Sequence, residues 1–99
     1  MVTVELLRDG ITYTVTAKGH ATGSPEMCAA VSTLMTTLAG WAANAKDARL
    51  LDDKLDPGSA RVSWRGIGAS SEVFRLVEIG LRQLAASYPA LISVTLTER

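Results

Sequence analysis

The sequence predicts a two-layer α+β domain, a mainly antiparallel sheet with two helices on one face. Three observations predict it. Two pairs of strand-like runs are each joined across a turn containing glycine. A stretch with helical apolar spacing follows each pair, and an alternating run closes the chain. The element order is therefore ββαββαβ. Helices that bury one stripe and strands that bury one face satisfy each other in such layers. The 99 residues are expected to form a single domain, residues 1–99, because chains divide at roughly 100–200 residues per domain.

The first pair is a hairpin. Val2, Val4 and Leu6 alternate with Thr3 and Glu5, and Ile11, Tyr13, Val15 and Ala17 alternate with Thr12, Thr14, Thr16 and Lys18. Period two is the mark of a half-buried strand. Asp9-Gly10 between them predicts a type I′ turn, which needs positive φ at both central residues. The second strand ends at Gly19-His20. A helix follows, with Ser24 as its cap, Pro25 at its first position and Glu26 at its positive end. Met27, Val31, Leu34, Met35, Leu38 and Trp41 give it one broad buried face, and it should fade near Asn44.

Residues 48–66 read as a second hairpin. Runs at 48–51 and 60–65 flank a polar stretch that turns at Asp56-Pro57-Gly58. Val62 and Trp64 are expected to face inward, and Arg61, Ser63 and Arg65 outward. The second helix begins at Ser70 or Ser71. Its stripe is Phe74, Val77, Leu81, Leu84 and Tyr88, and Tyr88-Pro89 stops it. The last strand runs from Leu91 to Thr97 with Ile92, Val94 and Leu96 on one face. There is no internal repeat, linker or low-complexity segment.

Composition excludes several functions. Hydrophobic residues are 47% and charged residues 20%, a globular mix. Ten basic and ten acidic side chains cancel, which argues against direct nucleic-acid binding and against a polybasic membrane surface. No apolar run approaches about 18 residues, so no bilayer span is expected. MVTVELLRDG lacks a basic head followed by an apolar block, so no secretion leader is expected and the location is read as cytoplasmic. One cysteine forms no internal disulfide. One histidine with one cysteine makes no dedicated zinc site, and no metal or organic cofactor is expected.

Gly19-His20-Ala21 and Met27-Cys28-Ala29-Ala30-Val31-Ser32 are the stretches that can carry chemistry. His20 sits where a strand ends and Cys28 near the start of the next helix. The short connection brings imidazole and thiol within prospective reach. Helix N-termini stabilise negative charge, and a thiol is nucleophilic as thiolate. A neighbouring histidine can take the thiol proton and return it to a leaving amine. Unbonded N–H groups of the first helical turn are candidate oxyanion donors. Ser32, four residues on, shares the Cys28 face. Glu26 is the nearest acid but is offset around the helix. The residues alone also admit plainer readings: Cys28 as a small buried hydrophobe, His20 as a solvated turn residue, Ser32 as a helix-surface hydroxyl.

Gly-His-Ala, followed after a gap by Cys-Ala-Ala-Val-Ser, resembles the ribosomal-processing cysteine proteases of bacteria, the Prp family. The order of elements, down to Tyr88-Pro89 before the closing strand, extends the resemblance over nearly the whole chain. It implies a cysteine endopeptidase with His20 and Cys28 as catalytic dyad, supported by Gly19 and Ser32. It implies removal of an N-terminal extension from a large-subunit ribosomal protein, so the partner is a ribosomal protein precursor, and it implies a homodimer. One departure stands out. The connection Ala21 to Met27 is shorter than in the family, and Pro25 replaces the aspartate of its Gly-x-Asp element. The expected consequence is a stiffer, more open entrance. The alternative is a non-catalytic protein-interaction module on the same fold, inactive because of that loop. A purely structural small dimer with a buried thiol is the third reading.

The remaining features read plainly. Gly66-Ile67-Gly68-Ala69-Ser70-Ser71 lacks the third glycine and the parallel βαβ context of a phosphate-binding turn, and is read as a turn with a helix cap. Trp41 and Trp64 are read as core or dimer-contact aromatics. Lys46, Asp47, Arg49, Asp52, Asp53 and Lys54 alternate in sign and form a solvated edge.

Overall fold

Alternation of apolar side chains organises the sheet. The computed structural model describes residues 1–20 and 24–99. The strands are β1 (Val2–Asp9), β2 (Thr12–Lys18), β3 (Ala48–Asp56), β4 (Ser59–Gly66) and β5 (Ile92–Glu98). The helices are α1 (Pro25–Asn44) and α2 (Ser70–Ser87). The sheet order is β3-β4-β2-β1-β5. Neighbours are antiparallel except β1 and β5, which run parallel. The expected two-layer α+β order ββαββαβ is the observed one.

The register lines up one apolar face. Val4 pairs with Ala17 and Val94, Leu6 with Val15 and Leu96, Val15 with Val62, and Tyr13 with Trp64. Met27, Val31, Met35 and Leu38 of α1 and Phe74, Val77 and Leu81 of α2 close on that face and complete one core cluster. Trp64 is its centre. Its ring stacks on Tyr13 at 5.2 Å and meets Phe74 and Trp41 at 6.1 Å. The other sheet face is polar, with Thr14 Oγ1 and Ser63 Oγ 3.0 Å apart in one hydrogen bond.

Three expectations need correction. The first turn is centred on Gly10-Ile11, since Asp9 pairs with Thr12, and only Gly10 has positive φ (62°). Positive φ at the first central residue alone is the type II′ pattern. Ile11 is thereby 40% exposed in the turn and leaves the inward row. β3 continues to Asp56, well past residue 51, as an edge strand exposed along most of its length. Asp52, Asp53 and Lys54 carry no alternation, and the register shift between Leu50 and Asp52 breaks the period that would have shown it. Ser63 points outward as expected, and its neighbours on that face bury it.

Both helix starts have measurable consequences. Ser24 caps α1, its Oγ accepting from the Met27 N–H at 3.4 Å. Ser24→Ala should cost about 0.5–1 kcal/mol in urea unfolding, the low end for a cap because the bond is long. The cap of α2 is Ala69, which has no side-chain bond to give. Ser70 is instead the first helical residue. It is fully buried, and its Oγ has no partner among the described residues. An unbonded buried hydroxyl keeps its desolvation cost. Ser70→Ala should leave the protein equally stable or up to about 1 kcal/mol more stable in the same assay.

Candidate active site

The site forms where β2 ends, because α1 must start there to pack back across the sheet. Gly19 makes the exit. Its φ is 103°, and a Cβ at that position would run into the Met1 carbonyl oxygen, so only glycine fits both the angle and the approach. Its N–H donates to the Gly58 carbonyl at 3.0 Å. His20 follows, with its carbonyl accepting from the Met1 nitrogen at 2.9 Å. Main-chain bonds thus tie the histidine segment both to the start of β1 and to the turn between β3 and β4, while the His20 residue itself stays exposed.

Cys28 is the fourth residue of α1, half-buried against the edge of the core. Ser32 lies one turn further along the same face and is exposed. Gly19, His20, Cys28 and Ser32 all line one cavity of about 290 Å³. Val2, Ala17, Val31 and Met35 give it apolar walls. Leu55, Asp56, Pro57, Gly58 and Ser59, from the β3–β4 hairpin, form another side. The four predicted site residues are therefore brought together. Ala21, Thr22 and Gly23, on which the entrance-loop expectation falls, lie outside the described residues. Pro25 takes the first position of α1.

The supply of oxyanion donors is smaller than expected. Pro25 has no N–H. The Met27 N–H is bonded to Ser24 Oγ, and the Cys28 N–H to the Ser24 carbonyl at 3.2 Å. Within the first four helical positions this leaves the Glu26 N–H, unbonded among the described residues. The serine cap takes one donor that a bare helix end would offer, the Met27 N–H, while the Cys28 N–H makes the ordinary first bond of the helix. Glu26 itself is exposed and does not line the cavity. The acid that does is Asp56, whose carboxylate is 3.8 Å from the Lys54 ammonium at the surface. The hairpin wall was invisible to sequence reasoning. Its signal was Pro57-Gly58, which marks a turn but does not say against what the turn rests. Among the described residues no group of three or more His, Cys, Asp or Glu is placed to hold a metal ion. No described helix is long and apolar enough to cross a membrane.

Hairpin, helix, hairpin, helix and closing parallel strand make an α+β fold similar to that of the ribosomal processing protease Prp. The chain is similar to Prp from S. aureus, solved with a covalently linked product peptide and with a substrate peptide. The TM-score is 0.76 at 16% identity, over 98% of this chain and 100% of that one. It is also similar to SMU.848 from Streptococcus mutans, with a TM-score of 0.73 at 20% identity over 100% of this chain and 96% of that one. No family model and no curated protein matches the sequence.

Proposed function

We propose that the protein is a cysteine endopeptidase that trims an N-terminal extension from a large-subunit ribosomal protein. One observation carries the reading: His20, Cys28 and Ser32 line a single cavity in a chain with the Prp fold. In this mechanism His20 takes the Cys28 proton. The sulfur attacks the peptide carbonyl, and His20 returns the proton to the leaving amine as a thioester forms. Water, deprotonated by His20, then attacks the thioester. Cys28 leaves as the sulfur that recovers the proton, and the acid product departs. The Glu26 N–H and the Ser32 hydroxyl are the local donors for the oxyanion.

The approach of substrate follows from the sheet. β3 is an edge strand, and Leu55 and Asp56 at its end wall the cavity. An extended peptide pairing with that edge is carried toward Cys28. The S. aureus protein was solved with a substrate peptide, which supports a peptide as the ligand class. Location in the cytoplasm and assembly as a homodimer belong to the same proposal, and sedimentation at micromolar concentration tests the dimer.

The test is incubation with the organism's own ribosomal precursor proteins, read by mass spectrometry. One precursor should lose a defined N-terminal segment with wild-type protein and stay intact with Cys28→Ala. Binding of a precursor without cleavage would favour the non-catalytic interaction module.

A further inference from the structure

We propose that Gly58 is the positioning residue for His20: the missing side chain at this turn is the seat of the imidazole. The inference rests on the reading of His20 as the base for Cys28. It comes from the β3–β4 turn, which the dyad alone does not require. A Cβ built on Gly58 would collide with His20 Nε2. It would also lie 2.6 Å from Cε1 and 3.2 Å from Cδ2, closer than real side chains tolerate. Three ring atoms therefore rest where any other residue would place its first carbon. The Nε2 end of the ring meets the turn, which leaves Nδ1 on the ring's far side.

The same residue also holds the main chain. The Gly58 carbonyl accepts the Gly19 N–H at 3.0 Å, one residue before the histidine. Ring and backbone of the His20 segment are thus referenced to one point. That point is itself stiff. Pro57 fixes φ at the first central position of the turn, and Gly58 follows with φ 73°. Proline followed by a residue of positive φ is the type II pattern. His20 is exposed and receives little packing from the core, so the turn supplies the contact that limits its rotation. A base displaced by about 1 Å loses about 10²-fold in rate.

Gly58→Ala introduces two effects, backbone strain at positive φ and collision with the ring. Gly10→Ala separates them. Gly10 has φ 62° and nothing within 4 Å of a built Cβ, so it carries the strain alone. Four proteins are compared: Gly58→Ala and Gly10→Ala, each with His20 and with His20→Ala. Urea midpoints should drop more for Gly58→Ala than for Gly10→Ala when His20 is present, and that excess should shrink when it is absent. In wild-type protein, NMR should show cross-relaxation between the His20 ring protons and the Gly58 Hα. Iodoacetamide modification of native Cys28 at pH 7 should slow about tenfold in Gly58→Ala, no more than in His20→Ala, and stay within about twofold of wild type in Gly10→Ala.

No ring-to-Gly58 cross-relaxation, or equal midpoint shifts in both backgrounds, overturns the seat. Should Gly58→Ala not fold, the wild-type cross-relaxation decides alone. Slow alkylation of wild-type Cys28 with the ring contact present counts against the protease reading, and leaves the contact established.

Discussion

Cleavage of a ribosomal precursor is expected to disappear in Cys28→Ala and to fall about 10²–10⁴-fold in His20→Ala, the range typical of a lost acid–base group. The two losses differ for a chemical reason. Without the sulfur there is no atom to form the thioester. Without the imidazole the sulfur remains, but its proton has to leave unaided and the leaving amine goes unprotonated. Neither substitution should unfold the protein. Cys28 is half-buried at the edge of the core, and His20 is exposed. Denaturation of Cys28→Ala should therefore stay within about 2 kcal/mol of wild type; a larger loss marks the thiol as a packed core residue. Unchanged cleavage by the Cys28→Ala protein would remove the nucleophile from the account.

The largest stability effect belongs to the far side of the core. Trp64→Ala should cost about 3–5 kcal/mol in urea unfolding. A small domain has about 5–15 kcal/mol in total, so this variant sits near the edge of folding. Trp64 is 0% exposed and lies in contact range of Tyr13, Phe74 and Trp41. Alanine leaves those rings facing a void that a rigid sheet closes only in part. Trp64→Phe should cost about half as much or less. It keeps a ring in the stack and removes the indole Nε1, which has no hydrogen-bond partner among the described residues. Equal losses for both variants would mean that the indole makes a bond through its nitrogen that the stack does not reveal.

How much of this was legible varies with the physics. The inward rows of β1, β2 and β4 were legible because one covered face imposes period two on the side chains. The start of α1 was legible because Ser24 and Pro25 act locally, on the first turn itself. The second half of β3 was not. An edge strand open to solvent imposes no alternation on Asp52 to Asp56, and backbone pairing with β4 leaves no mark in side-chain chemistry. The parallel pairing of β5 with β1 is likewise a matter of long-range topology.

The site divides in the same way. Gly19, His20, Cys28 and Ser32 were legible from chemistry-bearing residue types on a short connection, and the structure lines one cavity with them. The Asp56–Ser59 wall comes from nearly 30 residues further along the chain and was hidden. No spacing rule relates a hairpin tip to the strand end it touches. Hydrogen-bond accounting narrows the oxyanion expectation to fewer donors. Ser24 as a cap takes the Met27 N–H, Pro25 has none to give, and the Cys28 N–H closes the first helical bond.

The most direct measurement is alkylation of Cys28 by iodoacetamide in native protein at neutral pH, followed by intact mass, with His20→Ala beside wild type. A thiol activated by the neighbouring imidazole is modified within minutes in wild type and at least about tenfold more slowly in the variant. A thiol that resists modification until the protein is denatured, or one that reacts at the same rate with and without His20, contradicts the account.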